Sequence, residues 1–244
     1  MTTAQHTSLF RFTFPSNGGG SPLVLLDLTD LHNSRQDNAS ISIDAATGRM
    51  TGEARFEPSF GQGEYVAYFC ADFKGAGIRD NGIFVNSRGS ADVKDLKISR
   101  SINGYPLPGG GFIRFQDSSP VLARMGLSLK SSEQACQLAE SEIPDFDFQR
   151  TRSTALNQWR QKMKPISVNP GGVNDTMLKN FYSGIYRTMI NPQNYTGVNP
   201  VVSDGTVYFD SYYWYAMTLQ SDKDQVKLTK GLVFGTYSAR RCHS

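Results

Sequence analysis

The chain has 244 residues, room for one large domain or for one domain and the opening of a second. Apolar residues make up 39% and charged residues 19%, with a formal net charge of +3, so no strong field points to nucleic acid or to a membrane surface. No apolar run reaches the roughly 18 residues a bilayer-spanning helix needs.

The first half reads as short strands. Phe10, Phe12 and Phe14 alternate with polar partners until Pro15 stops the run. Leu23–Leu26 follows, then Ile41 with Ile43, Tyr65–Phe69, Ile83–Val85 and Phe112–Phe115. Val121, Ala123, Met125, Leu127 and Leu129 alternate once more. Turn formers fall between these runs, at Asn17–Gly20, Thr47-Gly48, Asp80-Asn81-Gly82 and Pro108–Gly111. Strands this close together, with no helices between them, predict an antiparallel β-sandwich or barrel.

The pattern changes near Ser131. Ser131 with Gln134 predicts a capping-box helix start, and that helix should stop before Pro144. A second helix is expected over about residues 151–163, with Ala155, Trp159 and Met163 on one face and Pro165 closing it. Asn174 caps an expected third helix, where Met177 or Leu178, Phe181, Ile185 and Met189 recur at helical spacing before Pro192. The reading is therefore a β-sandwich over 1–145, a helical linker over 146–170, and the start of an α-domain from 171.

Few residue constellations suggest chemistry. Gly61-Gln62-Gly63 and Gly109–Gly111 lack the strand-to-helix setting of a phosphate loop and read as turns or bulges. His6, His32 and His243 are too scattered for a metal site. Glu140, Glu142, Asp145 and Asp147 lie close in sequence, but a solvated helix end explains them better than an acid–base pair. Cys70 and Cys136 either pair in an oxidising compartment or sit as two buried thiols, and both readings stay open. Met1–His6 lacks the basic start and apolar stretch of a signal peptide. Three glycosylation sequons, at Asn38, Asn174 and Asn194, argue instead for secretion. The cluster Tyr208–Trp214 offers aromatic faces for sugar C–H surfaces and an Asp to accept from hydroxyls, although core packing explains it as well.

Three stretches together resemble glycoside hydrolase family 92. They are Ala123–Ser128 running into Glu133–Cys136 and Glu140–Pro144; Ala155–Trp159; and Asn180–Pro192 with Tyr208–Tyr213 downstream. The resemblance implies an antiparallel β-sandwich, a helical linker, and over 171–213 the first helix of an (α/α)6 catalytic barrel. It implies a secreted exo-α-mannosidase of α-1,2 type. Such an enzyme removes terminal α-mannosyl residues from N-glycans and mannoproteins with inversion, using Ca2+. The family's catalytic carboxylates and metal ligands match no position here, so none is assigned. Phe209, Asp210, Tyr212 and Tyr213 are the candidate sugar contacts. Mannose-containing glycans are the implied partners, with no role for nucleic acid or membrane. The alternative is a non-catalytic carbohydrate-binding β-sandwich module.

After Tyr213 the resemblance stops. Trp214, Tyr215 and Ala216 permit an intron donor in the underlying DNA, Leu228-Thr229 a branch site and Leu232-Val233 an acceptor. Removing that segment shifts the frame, and the codons for Val233–Ser244 then permit Cys-Ile-Trp-Asp-Leu-Phe-Arg-Ala-Gln-Met-Pro-Leu, the type of segment the family carries next. Residues 214–244 are therefore expected to be an aberrant tail from a retained intron. Thr7–Pro15 resembles a mid-sandwich strand, which predicts missing strands before it, open sheet edges, and a poorly soluble, inactive chain.

Overall fold

The computed structural model describes residues 1–15, 21–28, 36–56, 65–98, 109–190, 196–198 and 207–209. Among the described residues, eleven strands precede the first helix. They are β1 (Thr2–Thr3), β2 (Thr7–Phe12), β3 (Leu23–Asp27), β4 (Gln36–Ile43), β5 (Met50–Phe56) and β6 (Tyr65–Lys74). Then come β7 (Ile78–Val85), β8 (Arg88–Ser90), β9 (Asp95–Ile98), β10 (Gly109–Phe115) and β11 (Val121–Ser128). Three helices follow, α1 (Ser132–Glu142), α2 (Phe148–Met163) and α3 (Asp175–Ile190), and then the hairpin strands β12 (Thr196–Val198) and β13 (Val207–Phe209).

The strands form two antiparallel sheets. One has seven strands in the order β1-β2-β11-β6-β5-β4-β9, the other four in the order β3-β10-β7-β8. Their facing sides bury one core of Ile41, Ile43, Met50, Phe69, Ile113 and Phe115. The expected antiparallel sandwich followed by helices is the fold observed.

Two expected turns lie inside strands. Asn81 and Gly82 belong to β7, and Gly109–Gly111 open β10. Asn81 is buried because it has partners: its amide donates to the Ala45 carbonyl at 3.1 Å, and Lys94 donates to its side-chain oxygen at 2.6 Å. Gly111 is needed for close approach between the sheets. A Cβ there would sit 2.9 Å from the Met50 sulfur and from the Ile41 side chain. In sequence these glycines look like turn formers because their sheet neighbours are distant in the chain.

Thr47-Gly48 does turn. The Asp44 carboxylate accepts from the Ala46 and Thr47 backbone N–H groups at 3.0 and 2.7 Å, and Gly48 takes φ +69°. Phe10 and Phe12 stack on each other but are only half-buried. The buried residues of β2 are Thr7 and Leu9, on the opposite face.

That opposite face is covered by α1, which makes β11 a strand buried on both sides. Val121 and Ala123 face the sandwich core while Arg124 and Ser128 lie under the helix. Gly126 permits this, since a Cβ there would meet the Ala135 carbonyl oxygen at 2.2 Å and the Ala139 Cβ at 2.9 Å. Cys70 on β6 and Cys136 on α1 form a disulfide across the same contact. Ser131 caps α1 by accepting from the Gln134 N–H at 3.1 Å. The Gln134 side chain, however, accepts from the Ser128 hydroxyl at 2.6 Å instead of returning to Ser131, so the capping box is only half closed.

The Cys70–Cys136 bond spans 66 residues of sequence. In the chain-entropy account, closing a loop of that size restricts the unfolded chain by about 4 kcal/mol. Paired Cys70→Ala and Cys136→Ala changes should therefore lower unfolding stability by roughly 2–4 kcal/mol in a denaturant titration. Reduction of the native protein should lower its midpoint to a similar degree.

Candidate functional site

The junction between the sandwich and the helices is built on charged groups. Asp72 on β6 receives two arginines, one on each oxygen. Arg124 donates to Oδ2 through Nε at 3.2 Å and Nη2 at 2.6 Å, and Arg49 donates to Oδ1 at 2.6 Å. The third Arg124 nitrogen donates to the Ile143 carbonyl at 2.7 Å, where α1 ends. Arg124 and Asp72 side chains are only 7% and 11% exposed, so this pair works in a medium that screens weakly.

Arg49 reaches onward to Glu140 at 2.6 Å. That hydrogen bond first, and Asp72 after it, raise the already high pKa of the guanidinium against the effect of burial. At the far end of α1, Glu142 accepts from the His6 backbone N–H at 2.8 Å, and the His6 ring Nδ1 lies 2.8 Å from its other oxygen.

The chain then turns sharply. Phe146 holds φ +61°, a left-handed conformation costly for a residue with a side chain. Its ring lies 4.5 Å from the Arg124 guanidinium carbon and 5.7 Å from the Lys74 ammonium, a cation–π setting that offsets the strain. Asp145 is held below the usual carboxylate range, first by the backbone N–H of Asp147 and then by Arg150. Asp147 caps α2 by accepting from the Arg150 N–H at 2.9 Å, so the helix begins three residues ahead of its predicted start. Arg11 of β2 packs over the Phe148 ring at 4.7 Å and fixes the first turn against the sheet.

The acidic run Glu140, Glu142, Asp145 and Asp147 is thus committed to ion pairing, hydrogen bonding and capping. Sequence reasoning missed the arginine network behind it. The available signal was Asp72 and Arg124 standing in mid-strand beside the apolar residues Ala71, Phe73, Ala123 and Met125. His6 was set aside as unable to bind metal, and its structural pairing with Glu142 gave no sequence signal.

On α2, Ala155, Trp159 and Met163 share the half-buried face, as the spacing predicts. Trp159 meets Tyr186 of α3 at 4.7 Å between ring centroids. Asn174 caps α3, accepting from the Met177 N–H at 2.8 Å. Leu178, Tyr182 and Ile185 are half-buried, while Met177 and Phe181 are 60% and 43% exposed. Leu178, Tyr182 and Tyr186 line an open groove of about 400 Å³.

Of the candidate sugar contacts, Phe209 ends β13, paired with Thr196 of β12. Asp210, Tyr212 and Tyr213 lie outside the described residues, as do residues 214–244. Among the described residues no three His, Cys, Asp or Glu side chains converge as a metal site would require.

Residues 1–128 match the model of the glycosyl hydrolase family 92 N-terminal domain, and residues 134–238 match that of the family's catalytic domain. The chain belongs to glycosyl hydrolase family 92. It is 42% identical over 223 residues to an uncharacterized secreted glycosidase of Arthroderma benhamiae, a match covering 87% of this chain and 29% of that relative. Its fold resembles an inverting family 92 mannosidase of Bacteroides thetaiotaomicron, with TM-score 0.64 and 20% identity over 86% of this chain and 28% of the other. An α-mannosidase of the same bacterium, solved with mannoimidazole, gives TM-score 0.64 at 15% identity over 86% of this chain and 27% of that one. This family 92 chain therefore spans less than a third of the length of each of these proteins. The two family models divide it between 128 and 134, at the start of α1, although α1 packs on the sandwich.

Breaking the junction has a defined cost. Arg124→Met leaves the Asp72 carboxylate partly buried with Arg49 alone and should lower stability by about 3–5 kcal/mol. Replacing both partners, as in Arg124→Met with Asp72→Leu, should recover much of that loss. Urea unfolding of the two single variants and the double variant measures it.

Proposed function

We propose that this chain is a portion of a secreted exo-α-mannosidase of α-1,2 type, which removes terminal mannose from N-glycans and mannoproteins with inversion. The observation that carries the reading is the continuous order of sandwich and helical domain, each half matched separately by the family's own domain models. The mannosidase structures with the same arrangement support the sugar. Secretion is supported by the disulfide and by the secreted relative, because disulfides persist in oxidising compartments.

Inversion needs one carboxylic acid to protonate the leaving oxygen and one carboxylate across the ring to activate water. Both are assigned to parts of the catalytic domain beyond the described residues, and so are the ligands of the calcium ion. What this chain contributes is the platform that aims α2 and α3, and the segment from Phe209 onward. There Phe209, Tyr212 and Tyr213 offer ring faces to the sugar and Asp210 accepts from a hydroxyl. The described residues are proposed to need the rest of the catalytic domain for activity, and the match to the family's catalytic-domain model continues to residue 238.

The test is α-mannoside hydrolysis by protein of the full length of its relatives, followed by proton NMR of the first product. The reading predicts β-mannose as the initial anomer, loss of activity on chelation and recovery with calcium. Asp210→Ala should lower kcat/KM by at least about tenfold, the cost of one charged hydrogen bond. Sugar binding without any turnover would favour the carbohydrate-binding module instead.

A further inference from the structure

We propose that Asn174 is a site of N-linked glycosylation, a proposal that rests on the secreted reading above. Asn174-Asp175-Thr176 is an acceptor triplet, and the structure supplies what the triplet alone lacks. All three residues are exposed, at the point where the loop from Pro170 enters α3. Among the described residues no atom lies within 4 Å of where a Cβ on Gly172 of this loop would be.

Within the Asn174 amide the two polar atoms have separate duties. Oδ1 accepts from the Met177 N–H at 2.8 Å, and among the described residues no hydrogen bond engages Nδ2. The nitrogen that must react is therefore the free one. In the transfer, that nitrogen attacks the anomeric carbon of a polyprenyl-pyrophosphate-linked oligosaccharide. A C–N bond forms, the anomeric C–O bond breaks, the pyrophosphate leaves with the electron pair, and the amide gives up one proton. The side-chain carbonyl is unchanged, so the cap on α3 survives modification.

The other two triplets are placed differently. Asn38 lies within β4, between β5 and β9 of the seven-stranded sheet, and Asn194 is outside the described residues. At Asn174 the first sugars would also cover Val173 and Met177, which are 41% and 60% exposed. The amino-terminal end of α3 is thereby assigned to the solvent-facing side of the catalytic domain, since a glycan cannot share that space with another element.

The experiment is peptide mass mapping of the protein secreted by a eukaryotic host, before and after enzymatic deglycosylation, with disulfide state read on the same sample. The expected result is occupancy at Asn174, with one glycan lost in both Asn174→Asp and Thr176→Ala. Asn174→Asp keeps a capping oxygen, so its unfolding midpoint should match that of the deglycosylated parent. A secreted, disulfide-bonded protein with unmodified Asn174 overturns the site and leaves the secreted reading standing. A protein found reduced inside the cell overturns both.

Discussion

The buried pairing of Arg124 with Asp72 is the interaction on which the rest of the arrangement depends. One guanidinium touches the central strands of the larger sheet, the last carbonyl of the helix lying on it, and the ring at the following turn. Removing two charges from water is costly, and the cost is met only when every donor and acceptor finds a partner. Here Asp72 binds two arginines and Arg124 spreads its donors over a carboxylate and a carbonyl. An apolar pair of similar volume would hold the layers together without fixing where the chain leaves them. The ion pair adds direction, because a guanidinium donates in a plane.

Direction matters because the two helices that follow, α2 and α3, carry little core of their own among the described residues. Among the described residues of α2 none is fully buried, and α3 exposes Met177 and Phe181. These helices are positioned by their starting points. Phe146 is forced into a left-handed conformation and held there by cations from β6 and β11, and Phe148 is covered by Arg11 of β2. The sandwich in this family 92 chain acts as a rigid base for the helical domain. The disulfide from β6 to α1 secures that base covalently.

What was legible in the sequence follows from range. Strand alternation, the N-caps at Ser131 and Asn174, and the shared face of Ala155, Trp159 and Met163 are set by neighbours a few residues away, and each was read correctly. The misread features answer to distant partners. Gly82 and Gly111 look like turn residues until the opposing strand and sheet are placed against them. Leu9 outranks Phe10 in burial only because a helix from 120 residues later in the chain covers its face, a fact alternation within β2 does not carry. The same is true of the Cys70–Cys136 pairing. Of the sugar-contact candidates, Phe209 is placed at the end of a hairpin, and the others lie outside the described residues.

Native-state hydrogen exchange on α1 in Arg124→Met tests most directly whether the ion pair fixes the junction. The account predicts that amides of residues 135–143 lose more protection than those of β5 and β6, because the helix loosens locally while the strands lose only what the lower global stability takes from them. Unchanged protection across α1, with Phe146 and α2 exchanging as in the parent, would contradict it. The disulfide and the Gly126 contact would then suffice to set the junction.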